Sequence, residues 1–241
     1  MANLTNDTQS GEHIGSGEHI GSGEHIGSGE HIGSPQQGSP VHKIFTELAS
    51  KYSTNTNLIQ SFWQEIELAY SDKSRYYHNL SHLENMYNQL LQVKDLIEDF
   101  DVVLFSLFYH DVIYNSSKKD NEERSADLAR ERMQTLGFSE ERILKCVAQI
   151  LETKGHSISE DKDTNFFTDA DLSILGLDWN LYSEYAQNVR KEYNSYPTII
   201  YKMGRRKVLK HFLGMERIFK TDYFFEKFED LARENLRKEL Q

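Results

Sequence analysis

From residue 41 onward, apolar residues recur at three- and four-residue spacing, which is the period of an amphipathic α-helix. The first clear stripe consists of Ile59, Phe62, Trp63 and Ile66. Comparable stripes occupy the segments 83–91, 143–151, 182–193, 199–212 and 224–236. No segment alternates strictly between apolar and polar residues over four or more positions with turn signals on both sides, as a half-buried strand would. The pattern therefore predicts one all-α domain, a compact multi-helix bundle, over residues 41–241.

One segment differs because it is apolar on nearly every side. Residues 102–109 are interrupted only by Ser106 and end in a tyrosine, so we expect this helix to be central and buried all round. Helix breakers are scarce in the same part of the chain, which holds five of the 14 glycines and, of the three prolines, only Pro197. This scarcity argues against a sandwich or a barrel and favours helices.

The first 40 residues follow a different pattern. The six-residue unit G-E-H-I-G-S occurs four times in tandem, beginning at Gly11. Its period matches neither a helix nor a strand, and one isoleucine per unit cannot form a core. We therefore predict a disordered low-complexity tail over residues 1–40. Its repeated histidines could bind a transition metal weakly, but a solvated repeat without a fixed role is the simpler interpretation.

Composition limits the classes of function. The chain of 241 residues has a net charge of −11, which argues against binding of a nucleic-acid polymer. Cys146 is the only cysteine, so neither an intrachain disulfide nor a multi-cysteine zinc site can form. The longest apolar run is far shorter than a membrane span, and Met1 is not followed by the basic and apolar regions of a secretory signal. We expect a cytoplasmic protein that does not associate with membranes.

The segment Y-H-N-L-S-H-L, residues 77–83, contains the first candidate chemistry. His78 and His82 are four residues apart, so within a helix they would share a face. Asn79 is a favourable N-cap, which would place His78 just before a helix and His82 in its first turn. This arrangement favours different roles, with His82 directed toward a metal and His78 toward a substrate. The alternative is that both histidines are simply polar residues at a helix start.

Two further segments contain carboxylates in apolar surroundings. His110 and Asp111 end the most apolar segment of the chain, where an unpaired carboxylate would be costly to desolvate and a divalent ion is its strongest partner. Asp169 and Asp171 occur in T-D-A-D-L-S-I-L, residues 168–175, where we predict the start of a short helix before Gly176. One of these two carboxylates could cap that helix while the other points inward.

Together these segments resemble the HD superfamily of metal-dependent phosphohydrolases, whose ligands run His, His-Asp and Asp along the chain. The likeness covers most of residues 76–219. The segments Y-H-N-L-S-H-L and T-D-A-D-L-S-I-L also resemble the Y-H-N-x-x-H and T-A-C-D-L-S segments of cyclic-nucleotide phosphodiesterases. The chain also resembles a bacterial group of predicted HD phosphohydrolases that share Y-H-N-x-x-H, H-D-x-x-Y, D-N-E-E-R-S-A and D-A-D-L-x-I-L-G. The resemblance implies that His78 donates a proton to the leaving oxygen. It also implies that four residues hold the metal, namely His82, His110, Asp111 and Asp171.

The chain departs from the phosphodiesterase pattern at Tyr114. Phosphodiesterases have a histidine there that helps to organise a second metal, and some nucleotide-directed relatives have a glutamate that activates water. Neither residue is present at this position, so the number of metals and the water-activating group stay open. Glu122 is our candidate for polarising the attacking water. Glu123 is explained equally well by capping, with Asp120, of the helix that follows.

The candidate ligands do not select one metal, and the substrate needs donors of its own. Two imidazoles and two carboxylates suit Mn, Fe, Co, Ni, Zn or Mg. A phosphorylated substrate needs positive charge, and guanidinium groups bind phosphate bidentately. The candidates for substrate binding are Arg75, Lys154, His156, Arg190, Arg205 and Arg206. For His156 the alternatives are a second-metal ligand or an exposed loop residue, and for the basic run around Arg205 the alternative is a solvated helix face.

These observations predict a metal-dependent phosphohydrolase that uses metal-activated water and a histidine general acid. Its substrate would be a phosphate ester or anhydride of a small molecule, with a nucleotide as first candidate, because an acidic surface with local arginines suits a small anion better than a polymer. One alternative is a regulatory module that binds metal and nucleotide without turnover. Another is a two-iron oxygenase, which needs additional histidines after the His-Asp pair, where the chain offers only His156 and His211.

Overall fold

The computed structural model describes residues 39–241 of the chain. Over these residues the protein is all-α, with ten α-helices and no strand, which confirms the predicted fold class. Residues 1–38 of the predicted repeat tail lie outside the described residues. Two short 3₁₀-helices, Lys94–Leu96 and Ser173–Gly176, lie between α-helices. The α-helices are α1 (Pro40–Ser50), α2 (Thr56–Tyr70), α3 (Leu80–Gln92), α4 (Phe100–Tyr109), α5 (Asn121–Thr135), α6 (Glu140–Glu152), α7 (Lys162–Leu172), α8 (Trp179–Glu192), α9 (Thr198–Gly214) and α10 (Asp222–Leu240).

Helix α4 forms the centre of the bundle. Every residue from 102 to 109 is buried, and the helix packs against α1, α3, α5, α6 and α7, which confirms the prediction for this segment. Because α4 is enclosed, the two residues that follow it, His110 and Asp111, are brought into the interior of the bundle. Even α4, the most apolar helix, has only 10 residues, and none of the helices between residues 39 and 241 combines the length and the apolarity needed to cross a membrane.

Ion pairs and caps fix where α4 begins. Asp99 is its N-cap and accepts a hydrogen bond from the backbone N–H of Val102 at 3.1 Å. The same carboxylate receives two hydrogen bonds of 2.7 Å from the guanidinium of Arg142 on α6. Asp163 on α7 accepts the backbone N–H groups of Glu98 and Asp99 at 2.8 and 2.9 Å. The start of α4 is therefore tied to two neighbouring helices, which also fixes the position of its far end.

Helix α5 begins after Asp120, as predicted, but the predicted capping pair does not form. The side chain of Asp120 makes no cap hydrogen bond, and Glu123 instead forms an ion pair with Lys154 from the loop after α6. Asn121 joins the helix start to the preceding loop, since its side chain bonds to both the N–H and the C=O of Asn115, at 3.1 and 3.0 Å. A nearby cation thus attracts the carboxylate that was expected to cap the helix.

The predicted helix start within residues 168–175 is wrong. Helix α7 begins earlier, because Asp161 caps it by accepting the backbone N–H of Thr164 at 2.8 Å. Asp169 and Asp171 therefore lie in the last turn of α7, and a 3₁₀-helix follows them. Neither carboxylate caps its own helix, so both side chains are free to reach other parts of the bundle.

The end of α7 is held against α10 by two features. Asp169 accepts hydrogen bonds from the backbone N–H groups of Lys220 and Thr221 at 2.9 and 2.8 Å, just before α10 begins. Gly176 packs so closely on α10 that a Cβ at this position would lie 2.7 Å from the carbonyl oxygen of Phe228. These contacts fix the backbone on both sides of Asp171.

Candidate metal centre and adjoining cavity

The beginning of α3 positions the two histidines of the Y-H-N-L-S-H-L segment. Asn79 is the N-cap, and its side-chain oxygen accepts the backbone N–H of Ser81 at 3.0 Å. His78 therefore precedes the helix and His82 lies in its first turn, as the sequence predicts. His82 is buried, whereas the side chain of His78 keeps 20% of its surface exposed. The two imidazoles consequently face different partners.

The four predicted metal ligands lie close together. Nε2 of His82 lies 3.2 Å from Nε2 of His110 and 3.2 Å from Oδ1 of Asp171. Nε2 of His110 lies 3.2 Å from Oδ2 of Asp111. One ligand atom each from His82, His110 and Asp111 fits within a span of 4.8 Å. The structure thus brings three of the residues into one group, and Asp171 adjoins that group through His82.

The atoms of this group suit a divalent ion. Nδ1 of His110 lies 2.9 Å from the carbonyl oxygen of Leu107, to which it donates, so Nε2 is the nitrogen directed at the group. Two imidazole nitrogens and two partly buried carboxylates face one another here, and a divalent ion would be a favourable partner for both carboxylates. A mixed nitrogen and oxygen set of this kind is bound by the divalent metals predicted from the sequence. The residues present therefore fit such an ion.

Carboxylates and imidazoles in this group shift one another's pKa values. Burial lowers the pKa of His110, but Asp111 and Asp171 outweigh this effect and raise that pKa to about 9. The pKa of His82 falls, because burial outweighs its contact with Asp171. Burial would raise the pKa values of the two carboxyl groups, yet the neighbouring imidazoles hold both below their usual range. The group therefore favours the ionised carboxylates that bind metals.

His156 extends the group on the side of Asp171. Its Nε2 lies 2.8 Å from Oδ2 of Asp171, while Oδ1 of the same carboxylate faces His82. His156 has a φ of 50° in the loop after α6, a conformation that residues other than glycine adopt rarely. Contact with a phosphate and ligation of a second metal both stay predictions for this residue.

A buried carboxylate on α8 holds His78. Oε2 of Glu192 accepts a hydrogen bond from Nδ1 of His78 at 2.7 Å. Oε1 accepts the backbone N–H groups of Tyr77 and His78 at 2.7 and 2.9 Å, and the hydroxyl of Tyr114 donates to Oε2 at 3.1 Å. This arrangement leaves Nε2 of His78 directed toward Asp111, at 3.8 Å from Oδ2. The ring of His78 is therefore fixed in orientation.

The His78–Glu192 pair also shifts the pKa values of its members. Burial raises the pKa of Glu192, but its hydrogen bond and ion pair with His78 outweigh this effect and lower it. Burial lowers the pKa of His78, but Asp111 and Glu192 outweigh burial and raise it. Both shifts favour an imidazolium paired with a carboxylate.

Sequence reasoning missed Glu192, which lies 114 residues from its partner His78. Arg190, Lys191 and Glu192 form an ordinary charged run at the end of α8. The one available signal is position, because Tyr182, Val189 and Glu192 lie on the buried stripe of α8. A carboxylate at an inward position of an amphipathic helix indicates a buried partner.

The candidate metal centre borders a cavity of about 540 Å³. His78, His110, Asp111, His156 and Asp171 line one end of this cavity. The remainder of its wall is formed largely by side chains of α8 and α9 and by aromatic rings. A cavity of this volume is in the range that binds small molecules in proteins. The aromatic side chains are Tyr77, Tyr114, Tyr185, Tyr193, Tyr196, Tyr201 and Phe212.

Two of the predicted substrate-binding arginines bind backbone instead. Arg75 is buried and donates to the carbonyl oxygens of Asp111 and Val112 at 2.6 and 3.0 Å. Arg190 donates to two carbonyl oxygens in the loop after α8, at 2.6 and 3.2 Å. Neither side chain belongs to the cavity lining. The N–H groups of both guanidiniums are used by backbone carbonyl oxygens near helix ends, where the helix itself provides no donor. Arg75 supports the metal centre from behind, through the backbone of Asp111.

The other predicted charged residues are divided between the cavity and the surface. Arg206 is exposed on α9 and borders a separate groove. Arg205 lines the cavity but forms a bidentate ion pair with Glu239, at 2.8 and 2.9 Å. Lys154 and Glu122 both line the cavity, with Nζ of Lys154 3.5 Å from Oε2 of Glu122. The cavity therefore contains two of the predicted cations, and each is already paired with a carboxylate.

Comparison with known proteins adds no assignment to these observations. No family model matches the chain, and no curated protein matches it. The functional conclusion therefore depends on the residues of the site and on the chemistry that they can perform.

Proposed function

We propose that this protein is a metal-dependent phosphohydrolase of the HD superfamily that acts in the cytoplasm on a small phosphorylated molecule such as a nucleotide. The observation that supports this most is the convergence of His82, His110 and Asp111, with Asp171 beside them, at one end of a large cavity. These residues come from three distant segments, and one divalent ion accounts for their whole arrangement.

His82, His110, Asp111 and Asp171 would hold the ion. When bound, it supplies a Lewis acid for a phosphoryl oxygen and lowers the pKa of water. In the net reaction, a water oxygen forms a bond to phosphorus and the bond from phosphorus to the leaving oxygen breaks. The leaving oxygen gains a proton, and the protein is regenerated when the water proton replaces the one that was donated.

His78 is the proposed donor of that proton. Glu192 accepts from its Nδ1 and fixes the ring, so a proton on Nε2 faces the cavity next to Asp111. General acid catalysis by a positioned imidazole of this kind is worth about 10²- to 10⁴-fold in rate. Glu192 and Tyr114 act on the reaction only through His78 and are positioning residues.

Glu122 and His156 are the candidates for orienting the attacking water and the phosphoryl oxygens. Both line the cavity, and His156 lies against Asp171. Glu122 forms an ion pair with Lys154. The carboxylate and the ammonium group would therefore both contact a substrate that lies between them and the metal centre. A carboxylate that accepts a proton from water needs only hydrogen-bond distance to it.

The test is metal-dependent turnover by the full-length chain. Metal-stripped protein is reloaded with Mn²⁺ and assayed for release of phosphate from a panel of nucleotides, sugar phosphates and aryl phosphates. Asp111→Ala and His110→Ala remove proposed ligands, and His211→Ala is the control because His211 is an exposed histidine outside the cavity lining. We expect activity in the reloaded wild type and in the control alone. Activity retained by metal-stripped D111A would overturn the proposal.

One observation favours a second candidate, a regulatory module that binds metal and a phosphorylated ligand without turnover. Tyr114 occupies the position where phosphodiesterases have a further histidine, and its hydroxyl is bound to Glu192. This candidate predicts that Mn²⁺ and a nucleotide together raise the melting temperature while no phosphate is released from any member of the panel. Measured turnover excludes it.

A further inference from the structure

One stripe of α9 forms an apolar wall of the cavity. Ile200, Gly204, Val208 and Phe212 are four residues apart, so they lie on one face of the helix, and all four line the cavity. Ile200 and Val208 are 52% and 44% exposed, although both are aliphatic. Large apolar side chains that border a cavity and remain open to solvent indicate a surface that a ligand covers.

Gly204 leaves room in the middle of this stripe. Gly204 lines the cavity, and a Cβ at this position would meet no other atom within 4 Å, so a larger side chain here would extend into open space beside the lining. Gly204 lies in the interior of a 17-residue helix, where glycine is less favourable than alanine by about 1 kcal/mol. The helix therefore carries a destabilising residue at the point where its side chain would narrow the cavity.

The rest of the lining adds aromatic and aliphatic surface. Leu175 and Val189 are buried members of it, and the ring of Tyr193 lies 6.0 Å from the ring of Tyr201, which belongs to α9 itself. Tyrosine rings of this kind bind a flat or apolar group through their faces while the hydroxyl groups remain available for hydrogen bonds. Away from the metal centre, the lining is thus mostly aromatic and aliphatic and favours an uncharged, apolar part of a ligand.

The charged residues of the lining do not provide a polyphosphate site. Among the described residues, its only lysine and arginine are Lys154 and Arg205. Arg205 is held by Glu239 and by the hydroxyl of Tyr185, at 3.2 Å, and Lys154 is held by Glu122 and Glu123. Binding of several phosphoryl groups needs cations that are free to contact them. The cavity therefore suits a ligand with one phosphoryl group, which would bind at the metal centre.

From these observations we infer that the cavity takes a phosphate monoester with a single phosphoryl group and an aromatic or extended apolar body, which lies along α9 over Gly204. The inference rests on the proposed function for the phosphoryl end alone. It selects an aromatic or apolar phosphate over nucleoside triphosphates and over sugar phosphates. Hydrolysis of such an ester follows the balance given above and yields inorganic phosphate and the free alcohol.

Binding of two phosphonates, which cannot be hydrolysed at their phosphorus–carbon bond, tests the inference independently of turnover. Calorimetry on the Mn²⁺-loaded chain compares methylphosphonate with (1-naphthylmethyl)phosphonate. Burial of the naphthyl group should tighten binding by about 30-fold. Gly204→Leu should reduce that ratio by at least about tenfold, because the new side chain fills the space, while the helix gains propensity and stays folded. Gly214→Leu is the matched control, since Gly214 is on the same helix, has equally open space and lies outside the lining.

The outcomes separate this inference from the proposed function. Equal binding of the two phosphonates, a ratio unchanged in G204L, or tighter binding of ATP than of the naphthyl compound would overturn the inference. Release of phosphate from 1-naphthyl phosphate and glycerol phosphate is then measured on the same preparation. A preserved naphthyl preference without any release of phosphate supports the inference and overturns the proposed function. Release of phosphate from both esters at equal efficiency supports the proposed function and overturns the inference.

Discussion

Glu192 accepts a hydrogen bond of 2.7 Å from Nδ1 of His78, although 114 residues separate the two along the chain. Its other oxygen accepts the backbone N–H groups of Tyr77 and His78, so one carboxylate fixes both the main chain and the ring. The pair connects the end of α8 to the segment before α3. If His78 donates the proton to the leaving oxygen, Glu192 sets the orientation of the imidazole that donates it.

Glu192→Gln should lower kcat far more than it changes KM. The glutamine keeps the size of the side chain but removes the charge and one acceptor, so His78 loses both its orientation and its ionic partner. We expect a loss of about 10²-fold in kcat, measured with the best phosphate ester of the panel. Tyr114→Phe is the control, because it removes only one hydroxyl from Glu192 and should cost much less. An unchanged kcat in E192Q would contradict the role given to the pair.

The ion pair at the start of α4 should make stability depend on pH in acid. Burial would raise the pKa of Asp99, but the bonds from Arg142 and from the N–H of Val102 outweigh it and lower that pKa. A carboxyl whose pKa is lower in the folded state stabilises the fold above its unfolded pKa of about 3.9, and this stabilisation is lost as the pH falls through the lower folded value.

Asp99→Asn isolates this charge effect, because asparagine is an equally good N-cap. We expect the variant to be less stable than wild type by about 1 kcal/mol near neutral pH, and the difference to shrink as the pH falls below the unfolded pKa and through the lower folded pKa of Asp99. Urea unfolding at a series of pH values measures it. A difference that stays constant over that range would show that Asp99 does not act through its charge.

Cys146 should be unreactive until the chain unfolds. Its thiol is buried on α6 against Ser106 of α4, and burial raises its pKa to about 12, although the hydrogen bond from the Ser106 hydroxyl at 3.2 Å acts in the opposite direction. Since the thiolate is the reactive species, a thiol reagent at about pH 8 should modify almost none of the folded protein. The same reagent in denaturant should modify the single thiol completely. Rapid modification of the native chain would contradict the buried position.

Gly176→Ala should destabilise the bundle near Asp171. The new Cβ would lie 2.7 Å from the carbonyl oxygen and 2.8 Å from the Cα of Phe228, so backbone must move. We expect a loss of about 2 kcal/mol or more in unfolding free energy. Gly204→Ala is the contrasting variant, because its Cβ meets nothing within 4 Å and the helix should gain up to about 1 kcal/mol. Equal stability of the two variants would contradict the close packing of the 3₁₀-helix on α10.

The helical bundle and the positions of its main helices follow from the sequence because each helix carries its own apolar stripe. The segment 102–109 is central for the same local reason, namely that it has no polar face. The start of α7 could not be located in this way. Its N-cap is Asp161, and residues 166–172 are buried on several sides, so no stripe marks where the helix begins.

The grouping of His82, His110 and Asp111 was predictable from the resemblance of their motifs to those of a known family. Contacts that no motif marks were not predictable. Arg75 and Glu123 are examples. Their charges suggested substrate binding or capping, but a backbone carbonyl and a lysine in the folded protein engage them instead. Pairing between distant segments depends on how the helices pack, which a single sequence does not specify.

The metal content of the purified chain tests the central claim most directly. Elemental analysis after purification and again after incubation with Mn²⁺ and desalting is compared for wild type, Asp111→Asn, His110→Ala and the control His211→Ala. Wild type and the control should carry stoichiometric divalent metal, and the two site variants should have lost most of it while retaining their helical circular-dichroism spectra. Wild-type protein that retains no divalent metal under either condition, or site variants that bind as much as wild type, would contradict the claim.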